Sequence, residues 1–445
     1  MAPIAEEAMA RLGVPGVGVG ILHGDQEYAA GFGVTNVRHP LPVDAETLFR
    51  VVSVTKVVTA TAALRLVEQG RLALDAPLRA YAPELRVESE EVSARLTLRH
   101  VLTHTGGFLS DFPRDVERTW DFHGERALAQ CLADAHHLRQ ITPPGQVWFY
   151  NSAGFDLLGR IVEKVTGLTF DAAVAELVLQ PLGMQRSVFM LDRAIPQRCA
   201  IGHETREGKP VPVDNWGWPR SHGPAAGLIA SPRDLLRFAR FHLGDGTTPS
   251  GDRLLGTTLL REMHAPLVSA GGMCDACGMG WWVWDVGGTR VIGHSGYSNR
   301  ERATLRLVPA RDFAICVLAN GDRGDLLHAE ITAWALRHFL GVSEPDRAPL
   351  ALTRAHQQDY AGRYLPATGI PGVSPGELIV EPHGATARIR AAAHPAAAPL
   401  ELAFYAPDRA QVAGGAPGFR AEFVRDATGA VAWLRLRGRI LTRLR

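Results

Sequence analysis

Ser53-Val54-Thr55-Lys56, set in the run Leu48-Phe49-Arg50-Val51-Val52, places a hydroxyl and an amine three residues apart. From Val54 to Gln69 the residues are helix formers or small, Gly70 stands at the C′ position, and Asp75-Ala76-Pro77 opens the next turn, so a helix is expected here. Residues three apart on a helix share a face. Ser53 then sits at the helix start, where free backbone N–H groups and the positive dipole end help its own amide stabilise an oxyanion. A nucleophile beside a base is what acyl transfer needs. The same pattern also suits a serine N-cap followed by a surface lysine, and the lysine census favours the chemical reading. The chain has three lysines, Lys56, Lys164 and Lys209, against a large excess of arginine. Lys56 lies among Val54, Val57, Val58 and Ala60, where a desolvated lysine can lose its proton and an arginine cannot.

Working outward, Thr142-Pro-Pro-Gly-Gln-Val-Trp-Phe-Tyr150-Asn-Ser-Ala-Gly-Phe155 sets a tyrosine on a turn just ahead of a helix. A phenol near a lysine cation has its pKa lowered and can shuttle a proton, although a packed aromatic would look the same. Gly293-His294-Ser295-Gly296 follows a short strand and can bring backbone close to a substrate. It is one residue short of a G-x-S-x-G elbow, which makes Ser295 a poor nucleophile. Arg300-Glu301-Arg302 reads as a solvated hairpin tip, with a polar pocket rim as the other reading.

Composition bounds the rest. At 445 residues two domains are expected, and 46% hydrophobic with a net charge of +1 describes an ordinary globular protein with no call for nucleic acid or an anionic membrane as partner. Met1 to Arg11 carries Glu6 and Glu7 and lacks the pattern of a secretory signal, so a cytoplasmic location is expected. No apolar run has the length of a membrane span. Five cysteines argue against a disulfide framework, and Cys274-x-x-Cys277 lacks two further zinc ligands, so both read as loop cysteines and no metal is expected. The glycines of Val14 to Leu22 fail the nucleotide-loop spacing and read, with Glu27 to Gly33, as a β-hairpin.

Helical patterns follow at Leu98 to Leu102, Arg126 to His136, Ala153 to Val165 and Pro232 to Leu243. Short β-rich runs come next, Trp281 to Val286, Val291 to Gly293, Ala303 to Val308 and Phe313 to Leu318, before a helix at Leu326 to Leu340. This order predicts an α+β domain over residues 1–342 whose antiparallel sheet joins both ends of the sequence. A Pro- and charge-rich linker is expected over 343–355 and a small all-β barrel or sandwich over 356–445.

Together and in this order, the Ser53, Tyr150 and His294 motifs resemble the serine β-lactamase and penicillin-binding-protein superfamily, in particular its class C β-lactamase-like branch of esterases, D-amino-acid amidases and peptidases. Gln69 to Pro77, Leu98 to Gly106 and Ala226 to Asp234 are similar to the family as well, and the likeness covers about Val14 to Leu340. The resemblance implies a β-lactamase/transpeptidase-like fold, an antiparallel sheet flanked by helices with a helical subdomain. It makes Ser53 the acylated nucleophile, Lys56 its partner and Tyr150 the group that protonates the leaving group and activates the deacylating water. His294-Ser295-Gly296 would be the third element, the Tyr297 amide would complete the oxyanion hole, and the loop around His104 would be structural. No cofactor is implied.

Two departures steer the substrate. The family's Tyr-x-Asn reads Tyr150-Asn151-Ser152 here, so Ser152 stands where an amide usually meets the substrate, which favours esters over peptide or β-lactam amides. His294 replaces a lysine and, being mostly neutral at pH 7, weakens a fixed charge for a substrate carboxylate. The expected partner is therefore a small-molecule acyl substrate, cleaved as an ester, small amide or D-peptide. An acyltransferase using the same acyl-enzyme, a β-lactamase or penicillin-binding activity, and a non-catalytic binding protein are the alternatives. Oligomeric state has no signal. The β-rich tail, with Tyr360-Ala-Gly-Arg-Tyr364 near its start, resembles appended domains that cover the active-site mouth in some family members.

Overall fold

The computed structural model describes residues 1–112, 124–214, 217–298, 300–345, 347–367, 376–413 and 419–444. The expected N-terminal hairpin forms as β1 (Gly16–His23) and β2 (Gln26–Gly33). Two small antiparallel pairs follow in the helical part, β3 (Phe49–Arg50) with β6 (Ile229–Ala230), and β4 (His203–Arg206) with β5 (Lys209–Pro212). The remaining strands are β7 (Val268–Ser269), β8 (Ala276–Cys277), β9 (Trp282–Val286), β10 (Thr289–Tyr297), β11 (Arg302–Val308) and β12 (Phe313–Ala319). They join β1 and β2 in one eight-stranded sheet, ordered β2-β1-β12-β11-β10-β9-β8-β7. The two ends of the sequence meet where β1 pairs with β12, Val19 opposite Val317.

The small-apolar alternation of β1 has a packing cause. Val17, Val19 and Ile21 face one side of the sheet with helices Ala2–Leu12 and Gly324–Leu340. Gly18 and Gly20 face the other, against helix Pro232–Leu243, where an added Cβ would come within 2.6 Å of Pro232 and 2.8 Å of Leu236. Bare backbone thus lets that helix seat on the strand. On the same side a large apolar core gathers Val57, Val58 and Leu64 of helix Thr55–Glu68 with Phe155 and Leu158 of helix Ala153–Thr166. Helix Ala2–Leu12 and strands β7 and β8 were not foreseen in the sequence. The loop reading holds for Cys274 and is corrected for Cys277, which lies in β8; both are fully buried, with thiol pKa values pushed up by desolvation.

Between Gly341 and Thr353 the described residues form neither helix nor strand, and Asp346 of the expected linker lies outside them. A short helix, Arg354–Tyr360, leads into a closed barrel of β13 (Gly362–Pro366), β14 (Leu378–His383), β15 (Thr386–Ala391), β16 (Leu400–Ala406), β17 (Arg409–Val412), β18 (Arg420–Arg425), β19 (Val431–Leu436) and β20 (Arg439–Arg443). The barrel has its own core, including Tyr364, Phe404 and Phe423. It docks on the edge of the main sheet, where Arg420 pairs with Asp275 at 2.7 Å and the Glu422 carboxylate, bound by Arg435, lies against Gly271.

Beneath the sheet, His242 joins Thr61 (3.1 Å) and His264 (3.1 Å) around Trp281. Burial holds His242 well below the usual range and pulls His264 down to about 3. Both are neutral when folded, so the unfolded chain binds more protons below its histidine pKa of about 6.5. Stability is therefore fullest above that pH and is lost as pH falls towards the folded values. The expected outcome is a lower urea midpoint at pH 5.5 than at pH 7.5 (pH values of order one unit either side of the unfolded pKa), with a smaller loss in His264→Gln. An equal loss in both proteins would show that this pair is not the acid-sensitive element.

Candidate active site

Ser53 lies on a single 3-10 turn, Val52–Val54, that runs directly into helix Thr55–Glu68. Val52, immediately before it, has φ +48°. A β-branched residue in the left-handed region is strained by about 1–3 kcal/mol. The strain is held by neighbours: the Val51 amide donates to the Leu228 carbonyl (3.0 Å), and the Leu228 amide donates to the Thr55 hydroxyl (3.0 Å). The end of β10 presses on the other side. A Cβ on Gly296 would sit 2.2 Å from the Val51 carbonyl oxygen and 3.1 Å from the Ser53 nitrogen, so only glycine lets this strand pass the serine turn.

One helical turn on, the Lys56 ammonium nitrogen Nζ is 3.3 Å from Ser53 Oγ and donates to the Ala225 carbonyl at 2.9 Å. Its stem is enclosed, with Nζ 4.9 Å from the Tyr150 ring centre and 5.7 Å from that of Phe155. Desolvation lowers the Lys56 pKa from 10.5 to about 7, helped by Arg439 and opposed by the carboxylates of Asp156 and Asp111. Near neutrality this amine is free to take a proton from a hydroxyl within hydrogen-bond reach.

Tyr150 precedes helix Ala153–Thr166 and is buried beside Lys56. Its hydroxyl lies near Ser53 outside hydrogen-bond geometry. The expected lowering of the phenol pKa is corrected: burial raises it, outweighing the contribution of Ser53, and Lys56 is not a permanent cation. A protonated phenol suits the donor half of a proton shuttle. His104 and His294 flank it, with ring centres 4.8 and 5.9 Å from that of Tyr150. Burial drops His104 to about 3 and His294 well below its ordinary range, so both stay neutral. His104 accepts the Asn151 amide at 3.1 Å, which fits its structural reading, and His294 stacks on Trp282 at 4.0 Å.

Strand alternation separates the third motif into two faces. His294 and Gly296 face the site. The Ser295 hydroxyl turns to the far side, accepting from Arg306 at 2.9 Å and lying 3.3 Å from Thr304, so this residue offers the site only backbone. Tyr297 also sends its ring away, towards His328, while its amide follows Gly296 at the serine turn. The Asn151 amide is consumed locally: it donates to the carbonyls of Phe108 (2.7 Å) and Leu109 (3.1 Å) and accepts from Gly154 (2.7 Å). Ser152 is half-buried at the start of the helix, its amide bound to the Ser110 carbonyl. The solvated-tip reading of Arg300 to Arg302 is overturned, since Glu301 is buried and pairs with buried Arg50 at 3.8 Å.

The resemblance raised a barrel at the active-site mouth, but sequence reasoning named none of the barrel residues that reach the site. The turn between β19 and β20 reaches the site: Gly438 accepts the Tyr150 amide at 2.7 Å, and Arg439 binds Asp111 (2.8 Å) and the Ser110 hydroxyl while lying 5.8 Å over the Tyr150 ring. Nothing local in Leu436-Arg-Gly-Arg439 marks it, because the contact spans nearly three hundred residues of sequence.

A buried amine beside a serine on a strained turn, a protonated phenol across from it and a glycine strand at its back define a serine hydrolase built on the penicillin-binding fold. The Beta-lactamase family model matches residues 1–338, and the chain belongs to that family. It is 32% identical over 339 residues to penicillin-binding protein 4 of Amycolatopsis lactamdurans, covering 75% of this chain and 88% of that protein. Esterase EstB of Burkholderia gladioli is 35% identical over 242 residues, 52% of this chain and 58% of the esterase. The crystal structure of SurE superposes with a TM-score of 0.77 at 27% identity, covering 99% of this chain and 98% of SurE.

Because Arg439 pushes the Lys56 pKa down and also neutralises Asp111, which pulls it up, Arg439→Met is expected to raise that pKa. The acid limb of kcat/KM for an activated ester then moves to higher pH. An unmoved limb, or one displaced to lower pH, would contradict this electrostatic role.

Proposed function

We propose that the protein cleaves a small ester through an acyl-enzyme on Ser53. The observation that carries this is the amine of Lys56, buried, drawn down to about 7 and 3.3 Å from the Ser53 hydroxyl. Lys56 takes the Ser53 proton as Oγ bonds to the substrate carbonyl carbon. The amides of Ser53 and Tyr297 receive the negative charge that develops on the carbonyl oxygen. Tyr150 gives its proton to the leaving alkoxide and is reprotonated from Lys56. Water, deprotonated by the same pair, then attacks the acyl carbon and frees Ser53 and a carboxylic acid. Lys56 and Tyr150 titrate as a coupled pair, so pH limits belong to both.

The ester reading over an amide, D-peptide or β-lactam rests on Asn151 and Ser152. The amide at 151 has no N–H donor left for a substrate carbonyl, and 152 supplies only a hydroxyl. The similarity to an esterase points the same way. A second reading, transfer of the acyl group to an amine instead of water, is favoured by the SurE fold having been solved with D-Leu. We further propose that residues 1–342 form the hydrolase domain and 356–445 the barrel domain, joined by 343–355, with the barrel turn at Gly438 and Arg439 completing the site.

A panel of p-nitrophenyl esters, a chromogenic cephalosporin and a D-alanyl anilide tests this, with turnover and intact mass compared between wild type and Ser53→Ala. Preferred ester turnover and an acyl adduct that vanishes in Ser53→Ala are expected, with added D-amino acid diverting product only if transfer operates. Preference for the cephalosporin or anilide would overturn the ester reading. Wild-type turnover by Ser53→Ala would overturn the mechanism.

A further inference from the structure

Beside the serine turn lies a cavity of about 200 Å³ that the acyl-transfer steps do not use. It shares one wall with the anchor of Lys56. The short helix Gly223–Ala226 gives its Pro224 carbonyl to the Thr59 hydroxyl (2.7 Å) and its Ala225 carbonyl to Lys56, while Gly223 and Gly227 at its two ends line the cavity. Arg50, three residues before Ser53, lines it as well. The other walls are mainly apolar, with Leu128, Leu191, and Phe170 and Phe189, which meet edge to face at 5.3 Å, beside the Asp192 carboxylate that pairs with Arg193 at 3.9 Å.

Its polar groups are already matched, with one exception. Arg220 pairs with Asp171 at 2.8 Å, and Arg50 pairs with Glu301 while lying 5.0 Å over the Trp218 ring. Among the described residues that line the cavity, no cation is left over for a carboxylate ligand. The Trp218 indole N–H is buried and finds no acceptor among the described residues. A buried donor without a partner favours a ligand that brings an acceptor. The volume suits a single ring or a branched chain, since an apolar cavity of about 150 Å³ is large enough for benzene.

We propose that this cavity is the acyl-side specificity pocket of the hydrolase, taking a neutral aromatic or branched aliphatic acyl group that carries a hydrogen-bond acceptor for Trp218. The inference rests on the Ser53 acyl-enzyme reading. It makes the acyl half of the substrate, not the leaving group, the half that is selected. Gly223 offers a gentle way to fill the space: its φ of −49° suits any residue, and a Cβ there would stop 3.9 Å from Phe170.

Esters sharing p-nitrophenol as leaving group isolate the acyl side. The readout is the ratio of kcat/KM for the phenylacetate and 4-methoxyphenylacetate esters to that for the acetate, in wild type, Gly223→Leu, Phe189→Ala and Trp218→Phe. Gly223→Leu is expected to lower the phenylacetate ratio by about tenfold or more, tenfold being the lower end of what a misfitted apolar group changes. Phe189→Ala is expected to shift the optimum to larger acyl groups, and Trp218→Phe to lower the methoxy ester more than the plain one. Ratios that stay within about twofold in all three variants, a change too small for a filled or enlarged pocket, would overturn the pocket while the Ser53 adduct persists in intact mass. Absence of any Ser53 adduct in the wild type would instead overturn the acyl-enzyme reading and this inference with it.

Discussion

The exclusion of water from one lysine is the constraint on which the site depends. An exposed Lys56 would be charged at pH 7 and useless as a base. Desolvated by burial beside Tyr150 and Phe155, and held in place by the Ala225 carbonyl, it is brought to about 7 by the loss of water. Each unit of such a shift is about 1.4 kcal/mol, so holding this amine in place costs several kcal/mol of stability. The large apolar cluster around helix Thr55–Glu68 offsets that cost. Neutral His104 and His294 add polar surface to the enclosure without a charge of either sign.

Several distant elements meet to maintain this enclosure. The strained turn at Val52 is fixed from one side by Leu228 and from the other by Gly296, so Ser53 cannot relax away from Lys56. The barrel contributes a hydrogen bond to the Tyr150 amide and a cation that opposes protonation of Lys56. Its two-point attachment, at the sheet edge through Arg420 and Asp275 and beside Lys56 through Arg439 and Asp111, makes it part of the electrostatics around that lysine.

Much of this was legible in the sequence because it rests on local spacing. The S-x-x-K interval, the helix ended at Gly70, the alternation in β1 and the hairpin-linked strands all follow from periods of two and of three to four residues. The lysine census also carried information, since arginine elsewhere left Lys56 conspicuous. What escaped depends on long-range packing. The direction of the Tyr150 pKa turned on burial that no local pattern reveals. Glu301 looked like a surface charge until its partner, Arg50, was placed beside it from 251 positions away in the chain. The Gly438 turn reaches Tyr150 only because the barrel closes and docks.

The most direct measurement is the titration of Lys56 itself. With three lysines in the chain, selective ¹³C labelling gives three side-chain resonances, and the one missing from Lys56→Met belongs to the buried amine. Followed by NMR across the alkaline and neutral range in the full-length protein, that resonance is expected to titrate near 7. A midpoint near the ordinary lysine value of about 10.4 would contradict the account, because Ser53 would then face a cation with no proton vacancy to fill.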